Sequence, residues 1–156
     1  MTSTDKIYTR ENLVKQVAAW KQQGQRVVFT NGCFDILHLG HVDYLEKARA
    51  LGDKLVVGVN TDASVSRLKG PSRPLQDEMS RARIMASLLF TNAIVLFDEE
   101  TPYELIQSVM PDVLVKGDDY TVQNIVGQDI VLLNGGQVKT IALVKGYSTS
   151  DRKSVV

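Results

Sequence analysis

The sequence predicts an α/β fold, a single doubly wound parallel sheet. Short runs that are almost wholly apolar, residues 54–60 above all, alternate along the chain with amphipathic segments of helical period. Apolar runs without polar alternation are typical of parallel strands that are covered on both faces. Strands that alternate with helices indicate right-handed βαβ units, and ligands of such sheets bind beyond the carboxyl ends of the strands.

Periodicity and capping signals place the individual elements. Leu13, Val17 and Trp20 share one face of the first helix, and Thr101 to Glu104 reads as a capping box with proline at the first helical position. The predicted elements are helix 9–24, strand 26–30, loop 31–40, helix 41–52, strand Lys54–Asn60, helix 61–68, loop 69–76, helix 80–90, strand Ala93–Phe97, helix 101–110, strand 113–115 and strand 138–143.

Length and composition favour one soluble domain over residues 1–156, with an N-terminal helix (1–25), a core (26–150) and a tail (151–156). Eighteen basic residues balance eighteen acidic ones, so no net field recruits nucleic acid or a membrane surface. A single cysteine excludes an internal disulfide and fits a reducing compartment. No segment approaches the roughly 20 apolar residues that span a bilayer, so we expect a cytoplasmic protein.

The loop after the first long strand carries the candidate chemistry. It holds both histidines of the chain, His38 and His41, on either side of Gly40. Gly32 permits close approach of the backbone to a ligand, and Gly40 leaves space at a helix start, where N–H groups favour phosphate. Two imidazoles there can donate hydrogen bonds to phosphate oxygens. The pattern predicts a phosphate site at the switch point of the sheet.

Two other interpretations of this loop are weaker. His38 as a helix cap and His41 as a core residue would explain each histidine alone, but not the coincidence of strand, glycine, histidine pair and helix start. A zinc site would need carboxylates in addition to two histidines and one cysteine. We therefore predict no metal site built from protein side chains.

Residues 32–41 (GCFDILHLGH) resemble the signature of the cytidylyltransferase-like nucleotidyltransferases, which share the HxGH element with class I aminoacyl-tRNA synthetases. The resemblance implies a Rossmann-like sheet of the HxGH nucleotidyltransferase type. It also implies that His38 and His41 contact a triphosphate and stabilise charge in the transition state.

Further segments resemble the adenylyltransferase domain of ADP-heptose synthases. These segments are 59–64, 67–70, 72–74, 81–83, 101–102, 114–120, 134–136 and 146–149. The resemblance implies transfer of AMP from ATP to D-glycero-β-D-manno-heptose 1-phosphate, which gives ADP-heptose, a lipopolysaccharide precursor, and pyrophosphate. Because the chain has no room for the sugar kinase of the bifunctional relatives, it resembles the stand-alone form.

Such a transfer needs cations, backbone N–H groups and Mg²⁺ rather than a strong base, because the attacking phosphate is already ionised. The predicted catalytic residues are His38, His41 and Lys116, the last at a strand end. The predicted acceptor-binding residues are Asp35, Asn60 and Asp62. The predicted nucleotide-binding residues are Asn31, Gly32, Cys33, Phe34, Gly40, Lys69, Arg81, Gly117, Asp118, Ser148, Thr149 and Ser150.

Several of these residues have a structural alternative. Lys69 and Lys116 are otherwise solvated lysines, and Asp35 is otherwise a turn residue that bonds its own backbone. Asp62 is otherwise a helix N-cap. Arg83, two residues after Arg81, is in the structural interpretation an exposed charge on a helix.

The sequence leaves two rival functions open. One is a cytidylyltransferase for an alcohol phosphate such as glycerol or ethanolamine phosphate, although Leu143 stands where the glycerol-phosphate relatives have arginine. The other is a non-catalytic nucleotide-binding module, which the charged residues 151–153 favour because the family has an apolar helix there. In the main hypothesis the partners are ATP and a sugar phosphate, with no nucleic acid or membrane, and we expect a homo-oligomer.

Overall fold

A computed structural model describes residues 1–146, and the predicted sites Ser148, Thr149 and Ser150 lie outside the described residues. The strands are β1 (Ile7–Tyr8), β2 (Val27–Gly32), β3 (Lys54–Asn60), β4 (Ala93–Phe97), β5 (Val113–Gly117) and β6 (Gln137–Ile141). The α-helices are α1 (Arg10–Gln22), α2 (Leu39–Arg49), α3 (Asp62–Lys69), α4 (Glu78–Ala86), α5 (Tyr103–Val109) and α6 (Gln128–Leu133). Short 3-10 helices span Ser3–Lys6 and Val122–Asn124.

Within residues 1–146 the strands form one parallel sheet in the order β1-β4-β3-β2-β5-β6. The chain moves from β2 outward through β3 and β4, then returns to the other side of β2 for β5 and β6. The switch point therefore lies between β2 and β5, where the loops after these strands diverge and leave a crevice. The predicted Rossmann-like α/β fold is confirmed.

Two apolar cores cover the two faces of the sheet. One packs Leu13 and Trp20 of α1 and Leu105 of α5 on alternate strand residues such as Phe29 and Leu114. The other packs α2 and α4 on the intervening strand residues. Because successive residues of a strand point to opposite faces, the continuous apolar runs serve both cores at once.

Several predicted boundaries differ from the structure. The helix expected over 80–90 is α4, which begins earlier and ends at Ala86, and the last strand ends at Ile141 rather than at 143. The sequence analysis missed β1, which has two residues, and α6, which has six. Elements this short bury too few residues to show a clear period in sequence.

The predicted helix starts also need two corrections. Thr61, not Asp62, caps α3, because the Thr61 hydroxyl accepts the Ser64 N–H at 3.2 Å. The capping box predicted for α5 is absent from the described structure, where Pro102 occupies the N-cap position without a side-chain hydrogen bond. Pro102 fits there because proline has no N–H to satisfy.

No helix within residues 1–146 combines the length and the apolar character that a membrane crossing requires.

Replacement of Leu114 tests the packing of the central sheet. Leu114 of β5 is fully buried, so Leu114→Ala should lower the free energy of unfolding by about 2–5 kcal/mol through lost burial and a residual cavity. Urea unfolding followed by circular dichroism measures this change. Leu133→Ala is the matched control, since Leu133 is 88% exposed and its loss should change stability by less than about 0.5 kcal/mol. Equal effects of the two variants would contradict the assigned core.

Candidate functional site

Two adjoining cavities open at the carboxyl ends of β2, β3 and β5. They share a wall that consists of Asn31, Gly32, Cys33, Lys116 and Tyr120. One cavity, here called the histidine cavity, extends from this wall to the start of α2. The other, here called the β4 cavity, extends to the loop after β4. This is the position that the switch-point rule predicts for a ligand.

The two histidines form a stacked pair at the start of α2. The rings of His38 and His41 lie 3.8 Å apart between centroids and 20° from parallel. His38 is the N-cap residue of α2, and its backbone N–H donates to Nδ1 of His41 at 3.3 Å. Since Nδ1 accepts this hydrogen bond through its lone pair, a neutral His41 ring carries its own proton on Nε2. His41 therefore keeps one N–H donor for a ligand in the histidine cavity, which its side chain lines.

His41 is neutral near physiological pH. Burial, the neighbouring His38 and the ammonium of Lys69 lower the pKa of His41 to about 4. Each of these causes disfavours a positive charge on the ring in the absence of ligand. A bound anion would act in the opposite direction, because a negative charge beside Nε2 favours the protonated form.

Gly32 and Phe34 together support this histidine pair. The edge of the Phe34 ring meets the His41 ring at a centroid distance of 5.3 Å. A Cβ on Gly32 would lie 2.9 Å from Phe34 Cε2, so only glycine lets the aromatic ring occupy this place. Phe34 itself adopts a φ of 50°, an uncommon value for a residue with a side chain. The turn after β2 is therefore shaped to hold His41.

Lys116 stands in the wall between the two cavities. Its Nζ donates to the carbonyl oxygen of Asn31 at 3.3 Å and lies 5.1 Å from the centroid of the Tyr120 ring. Burial lowers the pKa of Lys116, and the negative charge of Asp119 opposes that shift. The side chain is thus a desolvated cation that a ligand in either cavity can approach, and not a solvated surface lysine.

Cys33 and Asn60 lie on the side of the β4 cavity. The Cys33 thiol is 3.6 Å from Asn60 Oδ1, and Asn60 Nδ2 donates to the Ser64 hydroxyl at 2.9 Å. Burial raises the pKa of the Cys33 thiol, so it is a neutral group at neutral pH. Asn60 is itself buried and lines the β4 cavity as a fixed polar group.

Asp35 holds a neighbouring loop instead of bonding its own turn. Its buried carboxylate accepts Arg73 Nε at 2.8 Å, the Leu75 N–H at 2.9 Å and the Gln76 N–H at 3.0 Å. Burial by itself would raise the pKa of Asp35, but these hydrogen bonds lower it below the usual value. The turn-residue alternative is wrong. A role in sugar binding stays a prediction, although both carboxylate oxygens already have protein donors.

Arg81 does not reach either cavity, contrary to the predicted contact with phosphate. Its side chain is fully buried, and its donors bond the carbonyl oxygens of Cys33, Asn60 and Gln76 at 2.7–2.9 Å. A fourth hydrogen bond, of 2.8 Å, joins Arg81 to the Asp62 carboxylate. Asp62 also lies outside the described cavity walls, so its predicted contact with an acceptor has no geometric support.

The remaining predicted site residues divide into two groups. The histidine cavity brings together Asn31, Gly32, Cys33, Phe34, Asp35, Gly40, His41, Lys69, Lys116 and Gly117. Among residues 1–146, His38 and Asp118 are predicted site residues that line neither cavity. His38 stacks behind His41, and the Asp118 backbone N–H donates to the carbonyl oxygen of Ile141 at 2.9 Å. The exposed Arg83 is the surface charge that the alternative describes.

The sequence analysis missed part of both walls. Tyr44, Asp119, Tyr120 and Leu143 complete the histidine cavity, and Leu68, Phe97, Glu100, Thr101, Pro102, Ile125 and Val126 belong to the β4 cavity. The rule that loops after parallel strands bind ligands points to Glu100 and Thr101, which follow β4. No comparable signal marks Ile125 and Val126, which lie between the second 3-10 helix and α6.

The described residues offer no metal centre of their own. Within residues 1–146 no three His, Cys, Asp or Glu side chains lie close enough together to hold a metal ion. The histidine cavity is lined instead by the ammonium groups of Lys69 and Lys116 and by N–H donors, together with two carboxylates, Asp119 and the Asp35 side chain that already has protein donors. Such a set suits an anionic ligand.

Comparisons with known proteins agree on one family. A family model described as cytidylyltransferase-like matches residues 29–150. The chain is 59% identical over 144 residues to bifunctional protein HldE of Azorhizobium caulinodans and 54% identical over 147 residues to that of Magnetococcus marinus. These matches cover 92% and 94% of this chain but 30% of each relative, so the chain spans less than a third of their length.

Two solved structures share the fold. One is the lipopolysaccharide core biosynthesis protein from Thermoplasma volcanium, with a TM-score of 0.64 and 34% identity over 80% of this chain and 100% of that one. The other is pantoate-beta-alanine ligase from Francisella tularensis, with a TM-score of 0.65, which covers 96% of this chain and 72% of that one. At 16% identity the ligase shows the fold alone.

The protonation of His41 can be measured directly. We expect the His41 ring of the free protein to titrate at about 4 in a histidine NMR titration, well below the usual 6.5. Because the unfolded chain then binds the extra proton first, His41 should lower stability as pH falls from about 6.5 to about 4. In His38→Ala the pKa of His41 should rise, because the loss of the stacked ring exposes His41 and removes the electrostatic effect by which His38 lowers that pKa. A free-protein value near 6.5 would contradict the buried geometry.

Proposed function

This chain belongs to the cytidylyltransferase-like family and is a nucleotidyltransferase, and we propose that it transfers AMP from ATP to a sugar 1-phosphate. We propose D-glycero-β-D-manno-heptose 1-phosphate as the acceptor. The resemblance to ADP-heptose synthases supports both choices, as does the similarity to a protein of lipopolysaccharide core biosynthesis. The products would be ADP-heptose and pyrophosphate.

The observation that carries the proposal is the set of donors in the histidine cavity. His41 presents a ring N–H beside Gly40 near the start of α2, and Lys69 and Lys116 stand across the same cavity. Backbone N–H groups at a helix start and ammonium groups are donors that polyphosphate requires. A triphosphate in this cavity would find these groups already oriented, so little reorganisation is needed during reaction.

The proposed chemistry is one in-line displacement. A phosphate oxygen of the acceptor attacks the α-phosphorus of ATP, and the bond from that phosphorus to the bridging oxygen of the leaving pyrophosphate breaks. The electron pair of this bond stays on pyrophosphate, whose growing negative charge His41 and Lys69 would stabilise. No proton needs to leave the acceptor, because its phosphate is already ionised near neutral pH.

We place the acceptor in the β4 cavity. This cavity shares Lys116 with the histidine cavity, so an acceptor phosphate held there can approach the α-phosphorus beside one common cation. Asn60, Glu100 and Thr101 supply the amide, carboxylate and hydroxyl groups that sugar hydroxyls bind. Phe97 and Leu68 supply apolar surface for the carbon skeleton. This assignment keeps Asn60 as an acceptor residue and replaces Asp62 with Glu100.

The ion and the cellular setting belong to the same proposal. We expect Mg²⁺ to enter chelated by the triphosphate, because the described side chains provide no metal centre. We also expect a homo-oligomer that works in the cytoplasm on small molecules, without nucleic acid or membrane.

A pyrophosphate-release assay tests donor, acceptor and cation together. We expect turnover with ATP to exceed turnover with CTP, and heptose 1-phosphate to exceed glycerol phosphate and ethanolamine phosphate as acceptor. Excess chelator should abolish release, because uncompensated triphosphate charge opposes departure of the leaving group. Faster turnover with CTP and an alcohol phosphate would replace the proposal with the cytidylyltransferase alternative. No release with any pair would favour a nucleotide-binding module.

Replacement of the histidines tests the assigned centre. His41→Ala and His38→Ala should each lower kcat by about 10²-fold or more, the scale of losing one preorganised donor. The effect of His38→Ala would be indirect, because His38 lines neither cavity. The variant removes the ring that stacks on His41 and changes the N-cap residue of α2. Steady-state kinetics measure both, and circular dichroism checks that the variants fold. Near wild-type kcat in a folded His41→Ala variant would remove His41 from the centre.

A further inference from the structure

Arg81 ties together four segments around the two cavities without touching either one. Its buried guanidinium donates four hydrogen bonds, to the carbonyl oxygens of Gln76, Cys33 and Asn60 and to the Asp62 carboxylate, at 2.7–2.9 Å. Cys33 lies in the turn after β2, and Asn60 is the last residue of β3. Asp62 is the first residue of α3, and Gln76 lies in the loop from α3 to α4.

Each of these segments contributes to a cavity wall or leads into one. Cys33 lines both cavities, and Asn60 lines the β4 cavity. The helix that begins at Asp62 ends at Lys69, which lines the histidine cavity. A single side chain therefore joins the walls on which the donors for both proposed substrates stand.

The loop of residues 70–77, which follows Lys69, is held by the same network. The Gln76 carbonyl oxygen accepts from Arg81, and the Gln76 N–H donates to Asp35 at 3.0 Å. Asp35 also accepts from Arg73 and from the Leu75 N–H. Asp35 and Arg81 thus bind the two main-chain polar groups of Gln76: Asp35 binds its N–H group and Arg81 binds its carbonyl oxygen.

We propose that Arg81 is a positioning residue, whose four hydrogen bonds fix the turn after β2 against the end of β3 before substrates bind. This inference rests on the proposed transfer reaction. In-line attack between two bound anions is sensitive to displacements of about 1 Å, which can cost roughly 10²-fold in rate. Arginine suits the task because its planar fork presents donors in several fixed directions, whereas lysine offers one flexible ammonium.

The predicted contact between Arg81 and phosphate gives a different kinetic result. If Arg81 contacted phosphate, loss of its charge would raise the KM for ATP alone. Arg81→Lys would then retain much of the ATP affinity, because the positive charge remains. A positioning residue touches neither substrate, so its loss should lower kcat and change both KM values to a similar, small extent. A purely structural role would lower stability and leave kcat of the folded protein unchanged.

The test compares Arg81→Lys and Asp62→Ala with the matched control Arg83→Lys, an exposed arginine of the same helix. In Arg81→Lys we expect kcat to fall by about 10²-fold, with KM for ATP and for heptose 1-phosphate within about threefold of wild type. Asp62→Ala removes one of the four hydrogen bonds and should lower kcat by about tenfold. Arg83→Lys should match wild type. Asp62→Ala alone decides the question if Arg81→Lys does not fold.

Amide hydrogen exchange of the substrate-free proteins supplies a readout that does not depend on activity. Arg81→Lys should speed exchange at the Leu75 and Gln76 N–H groups by about tenfold or more, and Arg83→Lys should not. Unchanged exchange, a kcat near wild type, or an effect confined to the KM for ATP would each overturn the proposal. If the wild-type protein releases no pyrophosphate with any substrate pair, the proposed function fails, and the exchange result still decides whether Arg81 fixes the loop.

Discussion

The central position of β2, paired in parallel with β3 on one side and β5 on the other, determines where chemistry can occur in this molecule. Parallel pairing brings the carboxyl ends of the three strands to one edge of the sheet. The turn after β2 therefore lies between the ends of β3 and β5, and no long loop is needed to assemble His41, Asn60 and Lys116. The two apolar cores on either face hold β2 in this position.

Charge is organised around this edge in two distinct ways. The ionic side chains of Asp35 and Arg81, which support the backbone, are buried and hydrogen-bonded within the protein, Asp35 to the 70–77 loop and Arg81 to four segments. Groups that face the cavities are left with capacity for a ligand, as in the Nε2 position of His41 and the desolvated ammonium of Lys116. The buried ionic groups hold the cavity-facing groups in place. A reaction that depends on the alignment of two substrates requires such support.

The sequence predicted the parts of the fold and of the site that depend on neighbours in the chain. The sequence pattern located the five strands β2 to β6, and residues 32–41 identified the family and the turn that holds His41. The sequence did not reveal the hydrogen bonds of Arg81, because its acceptors lie up to 48 residues away, and an arginine that resembles a family residue near phosphate fits phosphate binding equally well. The β4 cavity escaped notice because segments far apart in the chain build it, and only the folded sheet brings them together.

The central claim is that a triphosphate binds against Nε2 of His41, and histidine NMR of the protein saturated with ATP tests it most directly. The account predicts that bound ATP raises the pKa of His41 above its free value of about 4, because the phosphate charge stabilises the protonated ring. Saturable ATP binding that leaves the His41 resonances and their titration unchanged would place the triphosphate elsewhere and contradict the account.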